Sequence, residues 1–309
     1  MRKLRLGLLA LTASIPLAGN ADIVAGDMPP DTVWYLHVNF EELRSGETGK
    51  GLNDWLKWEV YDEIDDELGI NLNEEVNQFT AFSGSEYGTV IVIDGPLSKV
   101  SQDKLLAIIS TEERVEPKEY EGKTYYHVGD EEDHDNEEHD PFEYFDDTAY
   151  FSFSLDNRAI VTATEAHMHE LLDNGGEISG SGSHDGALLV LSAKKSLIQA
   201  GLQTDGLIED DNDDGWESNI VRNTEQAALL MADDSGQFAI EAQLVSTDPK
   251  MAAAIGGIVN GLISLQAFNS ELGPELQSLI GNTKVEVLGN VLSISTVIDP
   301  ELIAQVLND

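Results

Sequence analysis

The chain has 309 residues, 41% of them hydrophobic, and sets 58 Asp and Glu against 17 Lys and Arg for a net charge of −41. The apolar share suffices for a packed core, and the length fits one large domain or two small ones. The charge excludes nucleic acid and anionic lipid headgroups as partners, since both are held by Lys and Arg that displace condensed cations. The lack of cysteine excludes disulfides and a lipid anchor of the bacterial lipoprotein kind.

Residues 1–21 have the three parts of a signal peptide: basic Arg2, Lys3 and Arg5, an apolar run from Leu6 to Ile15, and small Gly19 and Ala21 ahead of Asp22. The apolar run is too short to cross a bilayer as a stable helix. We therefore expect cleavage before Asp22 and a mature protein in the periplasm or the medium, with no membrane insertion afterwards. Cleavage removes three of the 17 basic residues and no acid, so the net charge of −41 becomes −44 over the 288 residues that remain. Such self-repulsion opposes compaction unless counterions screen it. It suits either salty surroundings or a cation-binding role.

Next come two series of elements in the same order. Trp34 to Leu43 alternates like a strand and then opens a helix, and Leu188 to Leu197 does the same. Gln78 and Gly88 belong to a strand–turn–strand unit turning at Gly84-Ser85-Glu86-Tyr87; Gln226 and Gly236 belong to another, turning at Asp233-Asp234-Ser235. A helix follows each, with Ser101 and Asp248 as expected caps and Pro249 at the first helical position. Tyr150 to Ala163, turning at Asp156-Asn157, predicts a hairpin that leads into a helix ending at Asn174. Lys284 to Val297, turning at Gly289-Asn290, predicts the same with a helix ending at Asp309.

Asn174 to Gly186 is rich in Gly and Ser and reads as a linker. The expected fold is α+β in two similar halves, residues 22–174 and 187–309 with 175–186 between them. Each half is a mostly antiparallel sheet with helices packed on one face. Whether the sheets join is left open by the pattern. Met251 to Phe268 is almost uncharged, with Ala253, Gly257 and Gly261 at four-residue spacing. We read it as a helix packed tightly on the sheet, ahead of a subunit interface or a membrane span.

Two acidic segments are candidate cation sites. Residues 129–148 hold eleven acids, no Lys or Arg, and His134 and His139, with His127 just upstream. Imidazoles among carboxylates can gather zinc, copper or nickel, although a run this acidic also serves as a solvated loop. Asp210, Asn212 and Asp214 occupy the first three ligand positions of a calcium loop, with Gly215 at its turn. Val221 stands where a bidentate Glu belongs, so an EF-hand is incomplete. Ser183-His184-Asp185 cannot form a catalytic triad, because consecutive side chains diverge. His167 and His169 read as a surface pair at a helix start. No nucleotide-binding fingerprint, nucleophile elbow or zinc-protease helix is present in the sequence.

The run Pro30-Asp-Thr-Val-Trp-Tyr-Leu-His-Val38 resembles the opening of uncharacterised exported two-repeat α+β proteins of aquatic Gram-negative bacteria. The resemblance implies an exported protein and carries no activity or site. The residues favour a non-enzymatic binding or assembly protein whose partner is an unidentified protein or small ligand. A divalent-cation-binding accessory protein and an unrecognised hydrolase are the alternatives.

Overall fold

The computed structural model describes residues 28–29, 31–46, 48–84, 88–112, 114–129, 148–177, 186–198, 220, 222–267 and 274–303. The segment 1–21, the loop with His134 and His139, most of the linker, and Asp210, Asn212 and Asp214 lie outside the described residues.

Strand β1 (Thr32–Asn39) runs into the short helix α1 (Phe40–Ser45), which starts where the Asn39 side chain accepts a 2.9 Å hydrogen bond from the Glu42 amide. Helix α2 (Gly49–Leu56) continues through a π-helical turn at Lys57–Tyr61 into α3 (Asp62–Leu68), which stops at Gly69 with φ +67°. One turn, α4 (Leu72–Glu75), precedes the hairpin of β2 (Gln78–Gly84) and β3 (Gly88–Asp94). Helix α5 (Lys99–Glu112) follows, then β4 (Val115–Tyr120), β5 (Lys123–Gly129), β6 (Thr148–Leu155), β7 (Arg158–Thr162) and α6 (Glu165–Asp173). The remainder is β8 (Ala187–Lys194), β9 (Thr224–Asp234), β10 (Gln237–Ser246), α7 (Pro249–Ala267), α8 (Pro274–Asn282), β11 (Lys284–Leu288) and β12 (Val291–Ile298).

Among the described residues, the twelve strands form one antiparallel sheet in the order β11-β12-β10-β9-β8-β1-β2-β3-β7-β6-β5-β4. Outward from the centre, β1-β2-β3-β7-β6 on one side runs in the same order as β8-β9-β10-β12-β11 on the other. The first side then continues with the hairpin β5–β4. The seam is β1 against β8, in register from Trp34↔Ala193 to Val38↔Leu189.

Alternation along the strands gives the sheet two apolar faces. On one, Tyr35, Phe82, Val90, Ile160, Val190 and Leu230 pack with Met168, Leu171 and Leu172 of α6. Leu230 pairs with Glu241, so the neighbouring Ile240 points to the other face. There Leu188, Phe238, Met231, Ile240 and Ile298 pack with Leu43 of α1 and with Leu52 and Leu56 of α2. Helix α7 also lies on this second face. A Cβ added at Gly256 would come within 2.7 Å of Val287 Cγ2 and 3.3 Å of Leu292 Cδ1, so glycine lets the helix approach β11 and β12 this closely.

Helix starts follow local chemistry. Asp248 accepts from the Lys250 amide at 2.8 Å with Pro249 as the first helical residue, as expected. At α5 the capping oxygen belongs to Ser98, which accepts from the Ser101 amide at 3.1 Å, while Ser101 is buried inside the helix. Ser101 is the helix's third residue rather than its cap.

Candidate binding surface

Two features carry chemistry: a polar cluster under α6 and an apolar track across the sheet. In the cluster, the β4–β5 hairpin turns at Glu121-Gly122, both at positive φ, which places Lys118 beside Tyr125. The Tyr125 hydroxyl donates to Glu165 Oε1 at 2.6 Å, and Lys118 Nζ reaches the same oxygen at 3.0 Å. His169 Nε2 lies 3.2 Å from that hydroxyl, and its ring stacks on Tyr120 at 3.8 Å. The Tyr120 hydroxyl donates to Asp173 at 3.0 Å.

Hydrogen bonding from Tyr125, reinforced by Lys118, holds the Glu165 carboxyl below the usual carboxylate range, against a smaller opposing effect of burial. Burial, and then the bond to Glu165, pushes the Tyr125 phenol up. These groups satisfy one another and fasten α6 to the strands. His169 is thus a member of this cluster rather than half of a surface pair, while His167 points away to Thr164 at 2.6 Å.

His127, a metal candidate from the sequence, is 3% exposed on β5, with its ring stacked on Tyr150 at 4.9 Å and no partner for Nδ1. Its companions His134 and His139, like Asp210, Asn212 and Asp214, fall outside the described residues. Among the described residues no group of three or more His, Asp or Glu is placed to hold a metal ion.

The second feature follows from strand register. Starting at the β11 edge, Val285 pairs with Ile294, Ile294 with Ala242, and Ala242 with Leu229. Leu229 pairs with Leu191, Leu191 with Leu36, and Leu36 with Ala81. The row goes on through Ile91, Val161, Phe151 and Tyr126 to Pro117 at the other edge. Residues paired across strands share a face, so one row of apolar side chains, with Tyr126 near its end, crosses the twelve strands of the described residues without a charged side chain. Alternation within each strand shows its share of this row; only the pairing shows that the shares line up.

At its centre the row is open. Leu191 is 43% exposed although β8 is a middle strand. On the same face, the side of α7 turned away from Gly256 presents Ile258, Leu262 and Leu265, which are 46%, 54% and 70% exposed. The sequence reading treats α7 as wholly packed, whereas only the side with Ala252, Ile255 and Gly256 is buried. Among the described residues no helix is long and apolar enough to cross a membrane.

No family model and no curated protein matches the sequence. Among solved structures, the chain is similar to the bacterial protein TP0453 in three crystal forms. Crystal form III aligns with a TM-score of 0.44 at 12% identity, over 92% of this chain and 96% of that one. Crystal form IV gives 0.42 at 14%, over 90% and 93%, and crystal form I gives 0.41 at 12%, over 94% and 98%. At these values the functional reading rests on this chain's own residues.

Proposed function

We propose that this chain is an exported, non-enzymatic binding or assembly protein that docks a partner protein on the open part of the apolar row. The observation that carries the reading is Leu191, 43% exposed in the middle of a twelve-stranded sheet, with exposed Ile258, Leu262 and Leu265 of α7 on the same face of that sheet. Exposed apolar side chains on an open sheet face suit another protein's surface better than a small molecule, which takes a concave site. Covering Leu191, Ile258, Leu262 and Leu265 contributes about 1 kcal/mol each, enough to support a specific contact once association costs are met. The net charge of −41 turns nucleic acid away and favours a neutral or basic partner. Export rests on the tripartite segment 1–21, and N-terminal sequencing of protein recovered outside the cytoplasm should begin at Asp22.

The test of the binding surface is substitution by charge. Leu191→Asp and Leu262→Asp should each abolish co-purification of a partner from the protein's own cells, with unchanged circular dichroism and melting. Val100→Asp, at an exposed apolar position on α5 outside the centre of the row, should keep it. If all three retain the partner, the row is not the docking surface.

A further inference from the structure

The two ends of the sheet are built differently. At one edge, β4 carries Pro117 in mid-strand, which offers no N–H, flanked by Glu116, Lys118 and Glu119. Proline in mid-strand removes an N–H from an edge and keeps other strands from adding to it. At the other edge, β11 reads Lys284-Val-Glu-Val-Leu288, without proline, and exposes 40% of Val287 and 82% of Leu288. In the strand order, β11 holds the place that β6 holds on the other side, and there β6 is covered by the antiparallel strand β5.

We propose that β11 is an assembly edge at which a second copy of this chain docks, β11 against β11, antiparallel about a two-fold axis. Charge names the occupant. Residues 249–298 contain three acids (Glu271, Glu275 and Glu286) and two bases (Lys250 and Lys284), a net of −1 out of the chain's −41. Copies of this protein repel one another over most of their surface, and this end is where they can approach. The strand is also complementary to itself. A two-fold centred on Val285 sets Lys284 opposite Glu286 of the second copy, twice, while a centre on Lys284 or Glu286 would set like charges directly opposite.

The other side of the strand agrees. Val285 and Val287 lie under α7, within 4.0 Å and 2.7 Å of a Cβ built at Gly256. Val285 begins the apolar row, so centring there brings the rows of both copies end to end across one continuous sheet. This goes beyond docking on the middle of the row and stands without it.

The test is sedimentation equilibrium of the full chain as recovered after export, in high NaCl to screen the net charge. Wild type should reach twice the monomer mass over a micromolar to hundred-micromolar series. Glu286→Lys should weaken self-association about tenfold or more, since two attractive pairs become repulsive. Lys284→Glu combined with Glu286→Lys should restore it, because the swapped charges again meet their opposites. Both residues are exposed, and unchanged melting temperatures separate these effects from misfolding. A wild type that stays monomeric overturns the proposal. So does a dimer indifferent to Glu286→Lys, or a double swap that fails to rescue. A monomer that instead adds a strand from a different protein assigns the edge to that protein and overturns the second copy as occupant.

Discussion

Tyr125→Phe removes one oxygen from the cluster that fastens α6 to the sheet. That hydroxyl donates to Glu165 at 2.6 Å and touches His169 at 3.2 Å, on a side chain only 3% exposed. A hydrogen bond to a charged acceptor is worth about 1.5–3 kcal/mol. The Glu165 side chain is 39% exposed, so water resolvates part of the carboxylate and the loss falls to about 1–2 kcal/mol. For a protein of this size that is a drop of about 2–3 °C in Tm.

The pH dependence has a definite sign. Glu165 is held below its ordinary value of 4.5 in the fold, so its contribution is full above that value and is lost as pH falls through the folded one. The gap between wild type and Tyr125→Phe should therefore close in acid. Above the phenol's ordinary value of 10.0 its own titration intervenes, because a raised pKa gives stability that fades as pH rises towards it. Urea denaturation at fixed high NaCl, from neutral pH down through the carboxylate range, measures the gap directly. A loss under about 0.5 kcal/mol at neutral pH, or a gap unchanged in acid, would show that this bond does not fasten α6.

Leu172→Ala, at a fully buried position under α6, should cost about 2–5 kcal/mol in urea denaturation, whereas Leu191→Ala should cost less than about 1. Gly256→Ala gains about 1 kcal/mol of helix propensity but forces its methyl onto Val287 and Leu292, so it should be neutral to destabilising. In a Val287→Ala background it should become stabilising, and a double-mutant cycle reads the coupling. Asn157→Ala, with φ +54° in the β6–β7 turn, should cost about 1 kcal/mol, and Asn157→Gly should cost little.

The hairpins turning at Asp156-Asn157 and Gly289-Asn290 were legible because polar, turn-forming residues separate runs of alternating apolar residues. The β4–β5 hairpin was not, since Pro117 and three charges make β4 look like a loop. Its turn at Glu121-Gly122 was the signal available. The spacing from Gln78 to Gly88 recurs from Gln226 to Gly236, yet β9 runs on to Asp234, and β10 is offset by three residues from the β2–β3 register. Local pattern does not carry register across long separations. The same reason hid the apolar row and the Glu165 cluster, each assembled from strands or helices dozens of residues apart. His169 looked like an exposed residue because the aromatic it stacks on, Tyr120, belongs to the unread hairpin.

The β1–β8 seam joins residues about 150 positions apart, and this sets an order of events as the chain emerges from its amino end. Residues 32–173 contain every strand from β1 to β7, so that portion can assemble while the rest is still arriving. Until β8 follows, β1 is bare along its outer side, with Trp34, Leu36 and Val38 beside unpaired amides and carbonyls. Such an edge pairs with whatever strand reaches it first. The cell must deliver β8 promptly or shield β1 in the interval, and a chain truncated after residue 177 would keep that unfinished edge for its whole life. Aggregation of such a fragment, cured by supplying residues 186–303 in trans, is the outcome this seam dictates.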